Sequence, residues 1–306
     1  QVILKVQRPM DDQNRREMDF IQKETLLIGL LSPHTHSHDL KIYADKGITA
    51  MALELMPRIS RAQAMDVLSS QSNLAGYRSV IEAAYLFNRA FPMMMTAAGT
   101  IAPARVMVIG AGVAGLQAIA TAKRLGAIVS ALDVRDAAKE QVESLGATFI
   151  SVSGSNGEDT KGYASDMDDD YKKRQAMVIH DTLKTQDIVI TTALIPGKAA
   201  PRMIHQSMIS TMKPGSVLLD MAVEFGGNIE GSIMGEVVHE HGVTLIGYPN
   251  LPSRIAQDAS HLYARNVLNF LSLLTHEGQL SYNWEDPILQ GVTLTHEGQI
   301  IHPSFK

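Results

Sequence analysis

Apolar and polar positions follow two rhythms along this chain. Val2 to Val6 reads as a strand, Thr25 to Leu31 as a second apolar run, Ser37 to Lys46 as a helix, and Ile48 to Leu55 as apolar again. Leu74 to Phe91 carries apolar residues at helical intervals and stops at Pro92, so a long helix leads out of this first unit. Pro92 and Pro103 bracket a linker, in which "PMMM" (Pro92 to Met95) reads as interdomain packing.

From Arg105 the alternation is cleaner. "RVMVI", a helix from Val113 to Leu125, "AIVSALDV", a helix from Ala137 to Leu145 and "ATFISV" form a βαβαβ half. A helix near Tyr171 to Leu183 and the strands "DIVITTA", "SVLLDMA" and "VTLIGY" follow, with a Pro-rich turn and short helix after the first of them. Strands so continuously apolar are buried on both faces, which predicts a parallel, doubly wound sheet. Asp258 to Leu274 reads as a second long helix, and the short segments after it are expected to return to the first unit. "THEGQL" and "THEGQI", at Thr275 and Thr295, echo each other as two polar turns. The predicted fold is α/β, with two Rossmann-like doubly wound domains flanking a nucleotide cleft. The first takes residues 1–70 and 255–306, and the second takes residues 71–254 with the linking helix.

Composition narrows the function. At 306 residues and 45% hydrophobic content the chain can bury two cores, and a net charge of -5 gives no attraction to nucleic acid or anionic lipid. Zero cysteines excludes thiolate catalysis and disulfides. The longest uncharged run, Val106 to Ala122, is too short and glycine-rich for a comfortable membrane span, so no direct membrane insertion is expected. The opening "QVILKVQRP" reads as a strand that an earlier segment precedes.

"VMVIGAGVAGLQ" places Gly110, Gly112 and Gly115 in the G-x-G-x-x-G pattern after a strand and at a helix start. The first glycine permits the turn, the second clears space for a pyrophosphate, and the third lets helix pack on strand. Val113 and Ala114 lie in the helical first turn, whose N–H groups face an anion. Asp133, roughly 20 residues on, sits where a carboxylate reads ribose hydroxyls and repels a 2′-phosphate, which points to NAD(H); Val134 and Arg135 adjoin it, and the cation works against that discrimination. "TTALIPGK", with Thr192, Ala193, Leu194 and Gly197, follows the next strand at the ligand-binding edge, and reads equally as a plain Pro-Gly turn. The polar stretch "SGSNGEDTKGYASDMDDD" is long enough for a lid tipped by Tyr163 and Met167, or for a solvent loop. His34, His36 and His38 lack further ligands at convincing spacing, so no metal is assigned.

"ELMPRISRAQAMDVLSSQSNLAGY", Glu54 to Tyr77, gathers Arg58, Arg61, Gln63, Asp66, Ser69, Ser70, Gln71 and Asn73, yet no His, Cys or Lys. It offers many hydrogen-bonding groups and no ordinary proton-transfer group. Together with "FPMMMTAAGT", "VAGLQAIATAKRLGA", "TTALIPGK" and "MKPGSVLLDMAVEFGGN", this segment closely resembles the NAD(H)-binding component of proton-translocating NAD(P) transhydrogenase. That resemblance implies a homodimer that holds NAD(H), docks a component carrying NADP(H), and works with a membrane component that translocates protons, from the cytoplasmic side or its equivalent. It further implies that Arg58, Gln63, Asp66 and Ser69 serve the nicotinamide, that the glycines and Asp133 hold the rest of NAD, and that Tyr163 tips a mobile loop. Hydride passage between two nicotinamides needs positioning and no general acid or base, which accounts for the missing proton-transfer groups. The related alanine dehydrogenases need a catalytic Lys and His, where this chain has Gln7 and Leu31. A non-catalytic NAD-sensing module is the remaining alternative.

Overall fold

The computed structural model describes residues 1–12, 15–152, 168–195 and 198–306. The chain divides into two compact units, Gln1–Gln71 with Gln257–Lys306, and Ser72–Ala256. Its main elements begin with β1 (Val2–Gln7), β2 (Leu26–Leu30), α1 (His38–Asp45), β3 (Thr49–Ala52) and α2 (Val67–Leu86). Next come β4 (Arg105–Ile109), α3 (Val113–Arg124), β5 (Ile128–Leu132), α4 (Ala138–Ser144), β6 (Thr148–Phe149), α5 (Asp169–Leu183), β7 (Ile188–Thr191), β8 (Val217–Asp220), β9 (Val237–Glu240) and β10 (Val243–Ile246). The chain closes with α6 (Ala256–Leu273), α7 (Pro287–Val292), β11 (Thr293–His296) and β12 (Gln299–Ile300).

The first unit holds a five-stranded sheet in the order β1-β2-β3-β11-β12. The first three strands run parallel, and β11 and β12 add antiparallel. Because successive strand residues face opposite ways, Leu26, Ile28 and Met51 enter one core with Phe270 and Leu289, while Leu27 and Ala50 enter another with Leu40 and Tyr43. Both "THEGQ" segments turn a hairpin through a glutamate and a glycine at positive φ, Glu277 with Gly278 and Glu297 with Gly298, the conformation that a two-residue hairpin loop requires.

The second unit holds a seven-stranded sheet in the order β6-β5-β4-β7-β8-β10-β9. All its pairings are parallel except β9 on β10. The chain winds outward from β4 through β5 to β6, then restarts on the other side of β4 at β7. This reversal makes the carboxyl ends of β4 and β7 the topological switch point, where open α/β sheets bind ligands.

Three sequence-based expectations change. The long helix starts at Val67 rather than Leu74, since Asp66 caps it and the polar residues after Asp66 fit a helical first turn. The linker is a β-hairpin of Met94–Thr96 with Gly99–Ile101, and Met93, Met94 and Met95 stand exposed instead of packed. Strand β9 falls outside the predicted elements; its mixed "VVHE" has no strong period, and the turn through His241 and Gly242, both at positive φ, folds it back on β10.

Candidate functional site

In the second unit the glycine loop leaves β4 at Ile109. Gly110 has φ +98°, a region that suits glycine, and its N–H donates to the Leu132 carbonyl at 2.8 Å. A Cβ on Gly110 would lie 2.5 Å from Thr192 Oγ1, and one on Gly115 would lie 1.8 Å from the Gly110 carbonyl oxygen, so neither position has room for a side chain. Gly112 differs: a Cβ there would meet nothing within 4 Å among the described residues. The space beside it is a cradle that only a ligand would need kept clear. Gly112 is also the N-cap of α3 and no described side chain caps that helix, so the first-turn N–H groups of Val113, Ala114 and Gly115 are oriented for an anion such as pyrophosphate.

Asp133, just past β5, is 7% exposed. Its Oδ2 accepts the Ala111 N–H at 2.7 Å, which ties the carboxylate to the glycine loop. Its Oδ1 accepts the Arg135 backbone N–H at 2.9 Å, and the Arg135 guanidinium forks onto it, Nε to Oδ1 and Nη2 to Oδ2, both at 2.9 Å. Val134 packs against the apolar core on that side of the sheet. Tyr171 of α5 is buried, with its hydroxyl unpartnered among the described residues, and burial, then the Asp133 and Asp136 charges, push its phenol above the usual range.

Across the switch point, Thr192 follows β7 and its Oγ1 donates to the Gly110 carbonyl at 3.0 Å. Ala193 is held at both ends of its peptide groups: its N–H donates to Asn228 Oδ1 at 3.0 Å, and its carbonyl accepts from Asn228 Nδ2 at 2.9 Å. Asn228 is fully buried and is positioned by Asp220, whose carboxylate accepts the N–H groups of Ala222, Asn228 and Ile229 and the Ser232 hydroxyl. Leu194 is exposed. Tyr163, Met167 and Gly197 lie outside the described residues.

Sequence reasoning missed three contributors here. Asn228 and Asp220 stood in the quoted "LLDMAVEFGGN", but nothing in spacing reveals that their side chains reach back to Ala193. Gly76 is the third. A Cβ on it would lie 2.1 Å from the Ala114 carbonyl oxygen, so α2 rests directly on the first turn of α3. A lone glycine in a helical pattern is the available signal.

In the first unit, Ser60–Met65 forms a 3₁₀ turn and Asp66 ends it. Asp66 Oδ1 accepts the Ser69 N–H at 2.9 Å and its Oδ2 accepts the Ser69 hydroxyl at 2.5 Å, so these two predicted site residues form one helix cap. Arg58 and Gln63 are exposed on the same segment. Remote residues pin the segment: the Arg61 guanidinium donates both ways to Asp286 at 2.9 and 2.7 Å, Ser70 Oγ donates to Asn266 Oδ1 at 2.7 Å, Asn266 Nδ2 donates to the Ala64 carbonyl at 2.9 Å, and Gln71 Nε2 donates to the Ala259 carbonyl at 3.1 Å. The Arg61 hydrogen bonds hold the Asp286 carboxyl below the usual range. Upstream, Glu54 accepts the Ser32 N–H, and burial raises its carboxyl above the usual range while one oxygen stays unpartnered among the described residues.

A glycine loop, a helix start and a carboxylate at the switch point of a parallel sheet define a dinucleotide-binding protein of the dehydrogenase class. The chain belongs to the alanine dehydrogenase/PNT family: the N-terminal domain model matches residues 1–75 and the C-terminal domain model matches residues 79–303. It is 53% identical to the first of the separate polypeptides that make up NAD(P) transhydrogenase subunit alpha in Rhodospirillum rubrum, over 99% of this chain and 81% of that protein. The crystal structure of transhydrogenase from Sinorhizobium meliloti superposes with a TM-score of 0.87 at 50% identity, covering 98% of this chain and 81% of that one. An L-alanine dehydrogenase structure gives 0.79 at 22% identity over 99% and 79%, a likeness of fold alone. Among the described residues no helix is long and apolar enough to cross a membrane.

Proposed function

We propose that this chain is the NAD(H)-binding component of a proton-translocating transhydrogenase, passing hydride directly between NAD(H) and NADP(H) held on a partner component. The observation that carries the reading is that one chain combines a dinucleotide loop with a segment rich in fixed hydrogen-bonding groups and empty of proton-transfer groups. The residues fit the cofactor: Gly112 keeps a cradle clear, α3 presents N–H groups to it, and Asp133 is anchored through Ala111. Bound there, NAD(H) supplies a nicotinamide that gives or takes hydride. The protein supplies orientation. Thr192 and the Ala193 peptide groups, bracketed by Asn228, present a rigid backbone edge, while Arg58, Gln63, Asp66 and Ser69 serve the nicotinamide end, and Tyr163 and Gly197 complete the set.

Hydride transfer moves no proton to or from the substrate, so a general acid or base has nothing to do; bringing reacting atoms to roughly 3–3.5 Å suffices. Two further features bear on the reading. Against an alanine-dehydrogenase reaction, Gln7 cannot deliver a proton, and Leu31 is buried in the apolar core. The exposed methionine hairpin, with Met93 at 60% and Met95 at 79%, is a surface suited to a second copy in a homodimer. The assembly is completed by a membrane component, with this chain peripheral on the cytoplasmic or matrix side, and with domains at residues 1–70 with 255–306 and 71–254.

The test is single-turnover hydride transfer with an added NADP(H)-binding component. NADH oxidation that depends on that component is expected. Alanine-dependent NAD reduction without it would replace the reading with an amino-acid dehydrogenase, and NADH binding with no transfer would leave a sensing module.

A further inference from the structure

We propose that Arg135 is a nucleotide-specificity gate, whose guanidinium occupies Asp133 in the nucleotide-free protein and must leave before an adenosine ribose can be read. The inference rests on the NAD(H) reading above and deepens it.

A carboxylate offers about four acceptor positions. On Asp133 all four are taken: by the Ala111 N–H, the Arg135 backbone N–H, Arg135 Nε and Arg135 Nη2. A ribose diol brings two hydroxyl donors and needs two of those positions. The two backbone N–H bonds are built into the turn and cannot break without unfolding it. The guanidinium hangs on rotatable bonds and keeps 19% of its side-chain surface in solvent, against 5% for Asp133. The diol can therefore enter only where the fork now sits.

The displaced cation has two fates. With NADH, it moves to solvent, so part of the ribose binding energy is used to break a charge-assisted pair. With NADPH, the 2′-phosphate arrives beside Asp133, which repels it, but within reach of a guanidinium suited to bidentate phosphate pairing. Arg135 thus lowers affinity for NADH and softens rejection of NADPH. Asp133 alone would discriminate more sharply than the pair does.

Calorimetric titration of wild type, Arg135→Ala and Arg135→Gln with NADH, NADPH, 5′-AMP and nicotinamide mononucleotide tests this. Both variants should bind NADH and AMP about three- to tenfold tighter, the scale of one part-buried charge-assisted bond. Neither should bind NADPH tighter, and the mononucleotide, which lacks the adenosine ribose, should not change. Arg135→Lys, which keeps charge but loses the fork, should fall between. Unchanged or weaker NADH binding in both variants, or an unchanged ratio of NADH to NADPH affinity, would overturn the gate. Failure of the wild-type chain to bind NADH would instead overturn the cofactor reading, which separates the two.

Discussion

The glycine loop of the second unit and the polar segment of the first serve one proposed cofactor and are built on opposite principles. The glycine loop works by what it leaves out: Gly110 and Gly115 interlock because neither has a Cβ, and Gly112 leaves a space open. The polar segment works by cross-linking. Arg61, Ser70 and Gln71 fasten it to Asp286, Asn266 and Ala259, roughly 190 to 225 residues away in sequence. A site of the first kind tolerates no addition, and a site of the second kind tolerates no subtraction.

The largest effect should come from adding a methyl group. Gly115→Ala drives a Cβ to 1.8 Å from the Gly110 carbonyl, so loop and helix must separate; NADH binding should fall more than about 100-fold and thermal stability with it. Gly112→Ala is the sharp contrast, since its Cβ meets no described protein atom. The apoprotein should melt as wild type does, while NADH binding weakens by about tenfold. A parallel loss of stability at Gly112 would break the distinction between packing and ligand space.

Next is Gln63→Asn. Gln63 is exposed, so shortening it leaves the fold and NADH affinity nearly intact, but hydride transfer in the reconstituted complex should slow by about 10²-fold if the amide positions the reacting groups. A wild-type single-turnover rate would make the segment a structural junction. Arg61→Ala tests the cross-linking itself. Asp286 would stay buried and lose its cation, so the melting temperature should drop by several degrees, and NADH affinity of the second unit should hold. Because Arg61 depresses the Asp286 pKa, this stabilisation is present above the usual aspartate range and is lost as pH falls through the lowered value; the variant should show a flatter acid limb.

The smallest effect concerns Glu54. Its pKa is raised in the folded protein, so the folded state favours the protonated form; stability is fully present below the ordinary glutamate value and declines as pH rises through the raised one. Glu54→Gln copies the protonated group and still accepts the Ser32 N–H. It should melt slightly higher than wild type at neutral pH and equally at acid pH, as pH-dependent thermal melts would show.

The sequence by itself determined the second unit's site closely. Strand–glycine–helix order, the carboxylate after the next strand and the run of buried strands are local patterns, and local patterns fix φ, ψ and face. It also determined which residues the polar segment would contain, and through family resemblance what they would serve. Only the tertiary structure decided how those groups are held. That Asp66 spends its carboxylate on capping α2, that Asn228 brackets Ala193, that Gly76 seats one helix on another, and that Arg135 closes over Asp133 all depend on which backbone lies within about 3 Å of which side chain. Hydrogen-bond partners at that range come from chain topology, which brings distant segments together without leaving a period or spacing in the sequence.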